Sequence, residues 1–226
     1  MCGRYALTVE PDVLAALFAL DGGPEFDARY NAAPSQELPV VVSDGPERAR
    51  EARPMRWGLV PSWAKDSKIG YRTINARSET AAEKPSFRAA LKRRRCLVPA
   101  SWFYEWKRDG DQKIPFRIRR TDERPLAFAG LWEHWKGSQN EPARTSFTIL
   151  TTAANDDIGE LHDRMPCLIE PDDFERWLTP EVEDAEATKR LLEPAPAGRL
   201  TLDRVSTRLN NVRNEGVALL TPDTLF

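Results

Sequence analysis

Between residues 96 and 152 the chain alternates strand-forming runs with turn signals and leaves little room for helix. Residues 96–107 (CLVPASWFYEWK) form a β-rich run of one or two strands, and Ile114, Phe116 and Ile118 alternate strictly. Residues 125–135 and 146–152 are again rich in β-branched and aromatic side chains. Upstream, residues 38–42 and 55–60 predict two more strands. Helical spacing links Val13, Leu14, Leu17 and Phe18 behind Pro11, with Gly22-Gly23-Pro24 as the expected stop. Further helices are predicted over 86–95, 172–178 and 181–193, the last opened by Thr179-Pro180-Glu181. Residues 44–54 and 136–145 predict loops. Strands scattered among few helices, often joined by short turns, predict an α+β fold with a largely antiparallel, curved sheet.

Composition narrows the function classes. The 226 residues are 41% hydrophobic and 30% charged with seven tryptophans, as expected of a globular chain that can bury a sizeable core. No apolar run approaches the ~20 residues needed to span a bilayer, and the N-terminus lacks a basic-then-apolar leader. The expected location is therefore the compartment of synthesis, without membrane attachment. Cys2, Cys96 and Cys167 are scattered, only two histidines exist, and no CxxC occurs, so neither a disulfide framework nor a structural metal is expected. A net charge of −2 argues against a polycation but leaves room for a local basic groove.

Several short segments carry chemistry-bearing residues. In MCGRYA, removal of Met1 would give Cys2 a free α-amine beside its thiol, two nucleophiles that titrate at about 7.7–8 and about 8.5. The amine can form a Schiff base with an aldehyde, and the thiol can then close a thiazolidine. Arg4 can hold an anion nearby. The alternative is a small buried terminal residue. In SWFYEW, an extended chain puts Phe103 and Glu105 on one face and Trp102, Tyr104 and Trp106 on the other. A carboxylate among aromatics rises toward the range useful for proton transfer; an edge glutamate facing water would not. If residues 73–80 (TINARSET) are extended, Asn75 and Arg77 point the same way; otherwise they form a loop with Ser78 capping a helix. In LHDRMP, His162 is a natural acid–base group or a structural histidine, and adjacency does not make Asp163 its partner. His134, between Trp132 and Trp135, predicts packing. Asn31 sits in an expected tight turn, YNAAP, and Trp63 on a loop is either buried or stacks on a nucleobase.

Taken together, MCGRY, NAAP (31–34), WGLVPSW (57–63), INARSET (74–80), WFYEW (102–106), HDRMP (162–166) and VSTRLNNVRNEG (205–216) resemble the SOS-response-associated peptidase family, in the family's order and across nearly the whole chain. The resemblance implies one compact domain over residues 1–226 with curved, mostly antiparallel, barrel-like sheets and peripheral helices, and an enzyme that shields abasic sites in single-stranded DNA. Cys2, freed of Met1 autocatalytically or by an aminopeptidase, would form a Schiff base with the opened sugar and then a thiazolidine DNA–protein crosslink. Asn75 would position the sugar, Glu105 would shuttle protons, and His162 would assist ring opening and Schiff-base formation. Arg4, Asn31, Trp63, Arg77 and Arg164 would contact DNA, with Trp63 as a wedge. Ala64 stands where some members carry a second bulky residue. The implied partner is single-stranded DNA with abasic sites, strand junctions included, met by a monomer in nucleoid-associated cytoplasm, with no cofactor. Two other readings remain: a Cys2/His162 thiol hydrolase acting on peptides or amides, and a single-strand binding module without covalent chemistry.

Overall fold

The long strand at residues 144–153 organises the molecule. The computed structural model describes residues 2–43, 45, 49–179 and 185–223. In chain order the strands are β1 (Tyr5–Leu7), β2 (Arg29–Ala32), β3 (Glu37–Val42), β4 (Glu51–Trp57), β5 (Asn75–Arg77) and β6 (Arg95–Ala100). There follow β7 (Trp102–Asp109), β8 (Gln112–Arg120), β9 (Leu126–Trp135), β10 (Arg144–Ala153), β11 (Arg164–Pro166) and β12 (Leu200–Arg204). The helices are short: α1 (Pro11–Phe18), α2 (Ser78–Ala81), α3 (Arg88–Arg93), α4 (Phe174–Leu178) and α5 (Ala185–Arg190).

Hydrogen bonding closes β4, β3, β6, β9 and β10 into a ring, with β9 antiparallel and β4 parallel to β10. Closure removes exposed edges; β6, β9 and β10 are buried along most of their length, whereas β4 (EARPMRW) keeps a partly exposed, polar first half. β10 is longer than the ring requires. Beyond the ring, β5 pairs with one of its edges from Ile149 to Thr151 and β11 with the other from Thr151 to Ala153. A second sheet, ordered β12-β8-β7-β1-β2, lies against the barrel. Tyr5 and Phe103 point from it into the barrel core, where Tyr5 meets Trp57 at 5.2 Å and both meet Phe128 edge-on at 5.9 Å. Ala6 and Tyr104 face the opposite way and pack with Val205, Leu209 and Leu219 of the C-terminal segment. The second sheet is therefore covered on both faces, as the two-sided apolar reading of residues 102–106 requires.

The α+β architecture, barrel-like curvature and single core agree with the sequence, but several boundaries differ. β4 begins at Glu51, inside the expected loop 44–54 (Asp44 and residues 46–48 lie outside the described residues). Pro54 stands opposite Pro39. Two prolines can oppose each other where neither N–H is needed by the shared ladder. β4 also stops at Trp57 rather than residue 60, because Gly58 turns the chain at φ 120°. α1 ends at Phe18, ahead of the expected glycine stop, with Ala19 in the left-handed conformation. The expected turn at Asn31 is strand β2. Ser78 opens α2 without capping it, and His134 is exposed, since the alternation of β9 turns it outward between buried Glu133 and Trp135. Of the helix expected over 181–193, residues 180–184 lie outside the described residues, and α5 supplies Ala185–Arg190. Among the described residues no helix is long and apolar enough to cross a membrane.

Candidate functional site

The N-terminal segment approaches β7 antiparallel, and the Tyr104 N–H donates to the Arg4 carbonyl at 3.0 Å. That register lays the residues preceding β1 alongside Glu105. Cys2 is completely buried, and its carbonyl accepts a 2.8 Å hydrogen bond from Asn75 Nδ2. Asn75 reaches it because β5 is paired to the extension of β10. The other flank of that extension carries β11, whose approach brings in His162 after a turn closed by His162 N–H donating to the Ile158 carbonyl at 3.1 Å. One strand thus gathers groups from three distant parts of the chain.

Electrostatics tie the cluster together. Burial, reinforced by the negative charge of Glu105, pushes the Cys2 thiol well above the usual cysteine range, so it is held as neutral S–H at ordinary pH. Glu105 is only 4% exposed, and desolvation raises its pKa, with the charge of His162 pulling the other way. A carboxyl so buried keeps its proton to higher pH than an ordinary glutamate does. His162 Nδ1 accepts from the Arg164 backbone N–H at 2.9 Å and lies 2.8 Å from Asp163 Oδ1. Asn75 Oδ1 is buried and has no hydrogen-bond partner among the described residues. Across up to 160 positions of sequence, Asn75 is hydrogen-bonded to Cys2, and Glu105 interacts electrostatically with both Cys2 and His162. Among the described residues no three His, Cys, Asp or Glu side chains group as metal ligands would.

The five expected DNA contacts divide into two kinds. Arg77 is exposed on the same face of β5 as Asn75, and Trp63 is 58% exposed on its loop, its Nε1 donating to the Pro85 carbonyl at 3.4 Å. Arg4, Asn31 and Arg164 are instead engaged inside the protein. Asn31 is fully buried; it accepts from Arg4 at 2.6 Å and donates to the carbonyls of Asn211 at 3.1 Å and Asn214 at 2.9 Å. Arg4 also reaches the Leu209 carbonyl at 3.1 Å and lies over the Trp106 ring. The pair therefore pins the backbone of the C-terminal segment, while the polar side chains of the NNVRNE run fold it on itself and onto β2, Asn214 donating to the Arg208 carbonyl and Glu215 accepting from the Tyr30 N–H. Arg164 is gripped by both carboxylate oxygens of Glu79, at 2.5 and 2.8 Å, and by the Thr151 carbonyl at 2.5 Å. Glu79 escaped the sequence reading because its partner lies 85 positions away.

The WGLVPSW loop owes its path to a close backbone approach. A Cβ on Gly58 would meet the Gly70 carbonyl oxygen at 2.5 Å. Only glycine fits there, and the contact holds the Trp63 loop to the turn at residues 67–72.

The sequence profile of the SOS response associated peptidase (SRAP) family matches residues 1–212. This chain is an SRAP protein. Bacillus subtilis (strain 168) has a relative, "Abasic site processing protein YoqW", that is 41% identical over 224 residues, covering 97% of this chain and 99% of that protein. "Abasic site processing protein HMCES" of Xenopus tropicalis is 34% identical, over 95% of this chain and 76% of that one. The SRAP similarity extends to "Abasic site processing protein YedK" of Escherichia coli (strain K12), at 32% identity over 98% and 100% of the two chains. A solved structure from Bacteroides thetaiotaomicron superposes with a TM-score of 0.86 over 99% of this chain and 100% of that one, at 24% identity, which supports the SRAP fold alone. Another from Bordetella bronchiseptica gives 0.77 at 28% identity, covering 91% of this chain and all of its own.

Proposed function

We propose that this SRAP protein processes abasic sites in single-stranded DNA by linking itself to them through Cys2. The observation that carries the reading is the seat of Cys2: it is fully buried, its carbonyl is held by Asn75 at 2.8 Å, and its thiol feels the charge of Glu105. Hydrolysis of the Met1–Cys2 amide, by the protein itself or by an aminopeptidase, frees the α-amine. That amine adds to the C1′ aldehyde of the opened deoxyribose and water leaves, giving an imine. The Cys2 sulfur then bonds to C1′ while the thiol proton passes to the imine nitrogen, closing the thiazolidine. The neutral thiol needs a base for this step, and the desolvated Glu105 carboxyl is suited to carry the proton between sulfur and nitrogen. Asn75 Oδ1 remains available to accept from a sugar hydroxyl, and His162 serves ring opening and Schiff-base formation. Arg77 and Trp63 are assigned to phosphate contact and base stacking. Arg4 and Asn31 hold the C-terminal segment and Arg164 holds Glu79, so these three serve the fold rather than DNA. The protein acts as a monomer in the compartment where it is made.

The test is a denaturing gel of the purified protein with a uracil-containing single strand, with and without uracil-DNA glycosylase. A retarded band is expected only when the glycosylase has created the abasic site. Cys2→Ala abolishes the band, as does an extra residue inserted between Met1 and Cys2. A band that survives the insertion refutes the amine chemistry. Binding without any denaturant-resistant band leaves the molecule a non-covalent single-strand binder.

A further inference from the structure

We propose that Asp163 is a positioning residue that makes His162 able to accept a proton at Nε2, while the Arg164 backbone holds the same ring in the opposite state. The inference rests on His162 being a proton carrier in the reaction above. Two groups claim one nitrogen: the Arg164 N–H lies 2.9 Å from His162 Nδ1 and Asp163 Oδ1 lies 2.8 Å from it. They cannot both be satisfied, because accepting uses the lone pair of Nδ1 and donating requires a proton on it. With Arg164 as partner, the neutral ring carries its proton on Nε2, and Nε2 can take no other. With Asp163 as partner, the proton sits on Nδ1 and Nε2 is the unprotonated, basic nitrogen. Proton uptake at Nε2 then yields an imidazolium whose Nδ1–H stays on the Asp163 carboxylate, and returning that proton restores the same neutral ring.

The two competitors are anchored very differently. The Arg164 guanidinium is clamped by Glu79 and by the Thr151 carbonyl, so the peptide N–H beside it belongs to a fixed element. The Asp163 side chain is 83% exposed and can swing toward or away from the ring without moving the backbone. Among the described residues, Glu105 also interacts electrostatically with both His162 and Asp163. Because the Arg164 N–H stays in place, the exchange of partners at Nδ1 is a side-chain event in which the imidazole turns off that donor as the Asp163 carboxylate swings in.

The experiment combines long-range ¹H–¹⁵N spectra of the histidine rings in DNA-free protein with crosslinking rates on an abasic single strand. His134 is the other histidine, and His162→Gln assigns the signals. The wild-type neutral ring is expected to populate both Nδ1–H and Nε2–H forms, and Asp163→Ala is expected to collapse it to Nε2–H. The same variant slows crosslinking about tenfold or more, within the span of acid–base catalysis, while binding to an undamaged strand is unchanged. Asp163→Glu restores part of the rate. A wild-type ring found wholly as Nε2–H overturns the proposal, as does Asp163→Ala that leaves the ring or the rate unaltered or weakens binding as much as rate. A wild type that never crosslinks sinks the functional reading, and the ring spectra still decide the role of Asp163.

Discussion

Glu105 is held at 4% exposure, and the environment that raises its pKa also makes it a liability to folding. An acid whose folded pKa exceeds its unfolded value binds its proton more tightly when folded. Ionising it therefore costs stability as pH climbs from the ordinary glutamate value, about 4.3, through the raised folded one. Glu105→Gln is expected to raise Tm relative to wild type above that window, with the advantage shrinking as pH falls toward the ordinary range. Thermal melts across pH check this; an advantage independent of pH would mean that Glu105 is not desolvated. The same substitution should slow crosslink formation or reversal about 10²-fold, as loss of an acid–base group does, with little change in DNA affinity. The three cysteines offer another residue-level check. All are buried and free, and burial pushes each thiol upward. Thiolate reagents at neutral pH should therefore find almost no reactive sulfur in the native protein and all three after denaturation. Fast labelling of Cys2 would contradict its buried seat.

The decisive element is the C-terminal half of β10, which serves as a common rail for β5 and β11. Strand reading located most of β10 from its Thr- and Ile-rich run, but nothing in that run announces that two further strands will attach to it. Three-residue strands such as β5 and β11 hold too few letters for any periodicity, so their attachment to β10, which places Asn75 on one flank and the segment after His162 on the other, was not legible. The C-terminal segment was legible as a motif without a role, because its role is set by Asn31. Asn31→Ala removes two donors and an acceptor and leaves the part-buried end of Arg4 and the part-buried carbonyls of Asn211 and Asn214 without that partner. It should cost about 3 kcal/mol or more by denaturant unfolding, and open residues 209–214 to proteolysis first. Gly58→Ala is expected to destabilise the protein and to weaken single-strand binding through the Trp63 loop, since the added methyl meets the Gly70 carbonyl. Unchanged binding would separate that loop from the DNA surface.

For the whole molecule, barrel and second sheet share one apolar interior in which Phe128 touches both Tyr5 and Phe103. Phe128→Ala should cost about 3–5 kcal/mol and lower a single unfolding transition rather than split it into two. Two resolved transitions would mean that the sheets are separate folding units. The chain by itself determined the strand-rich character, the two-faced burial of residues 102–106 and the residue types of the chemistry, because side-chain alternation and local propensity act between near neighbours. Which strand closes the ring, that Asn31, Arg4 and Arg164 turn inward, and that one nitrogen of His162 has two suitors were decided by tertiary structure. Those outcomes depend on groups tens to hundreds of positions apart, whose distances exist only once the core has packed.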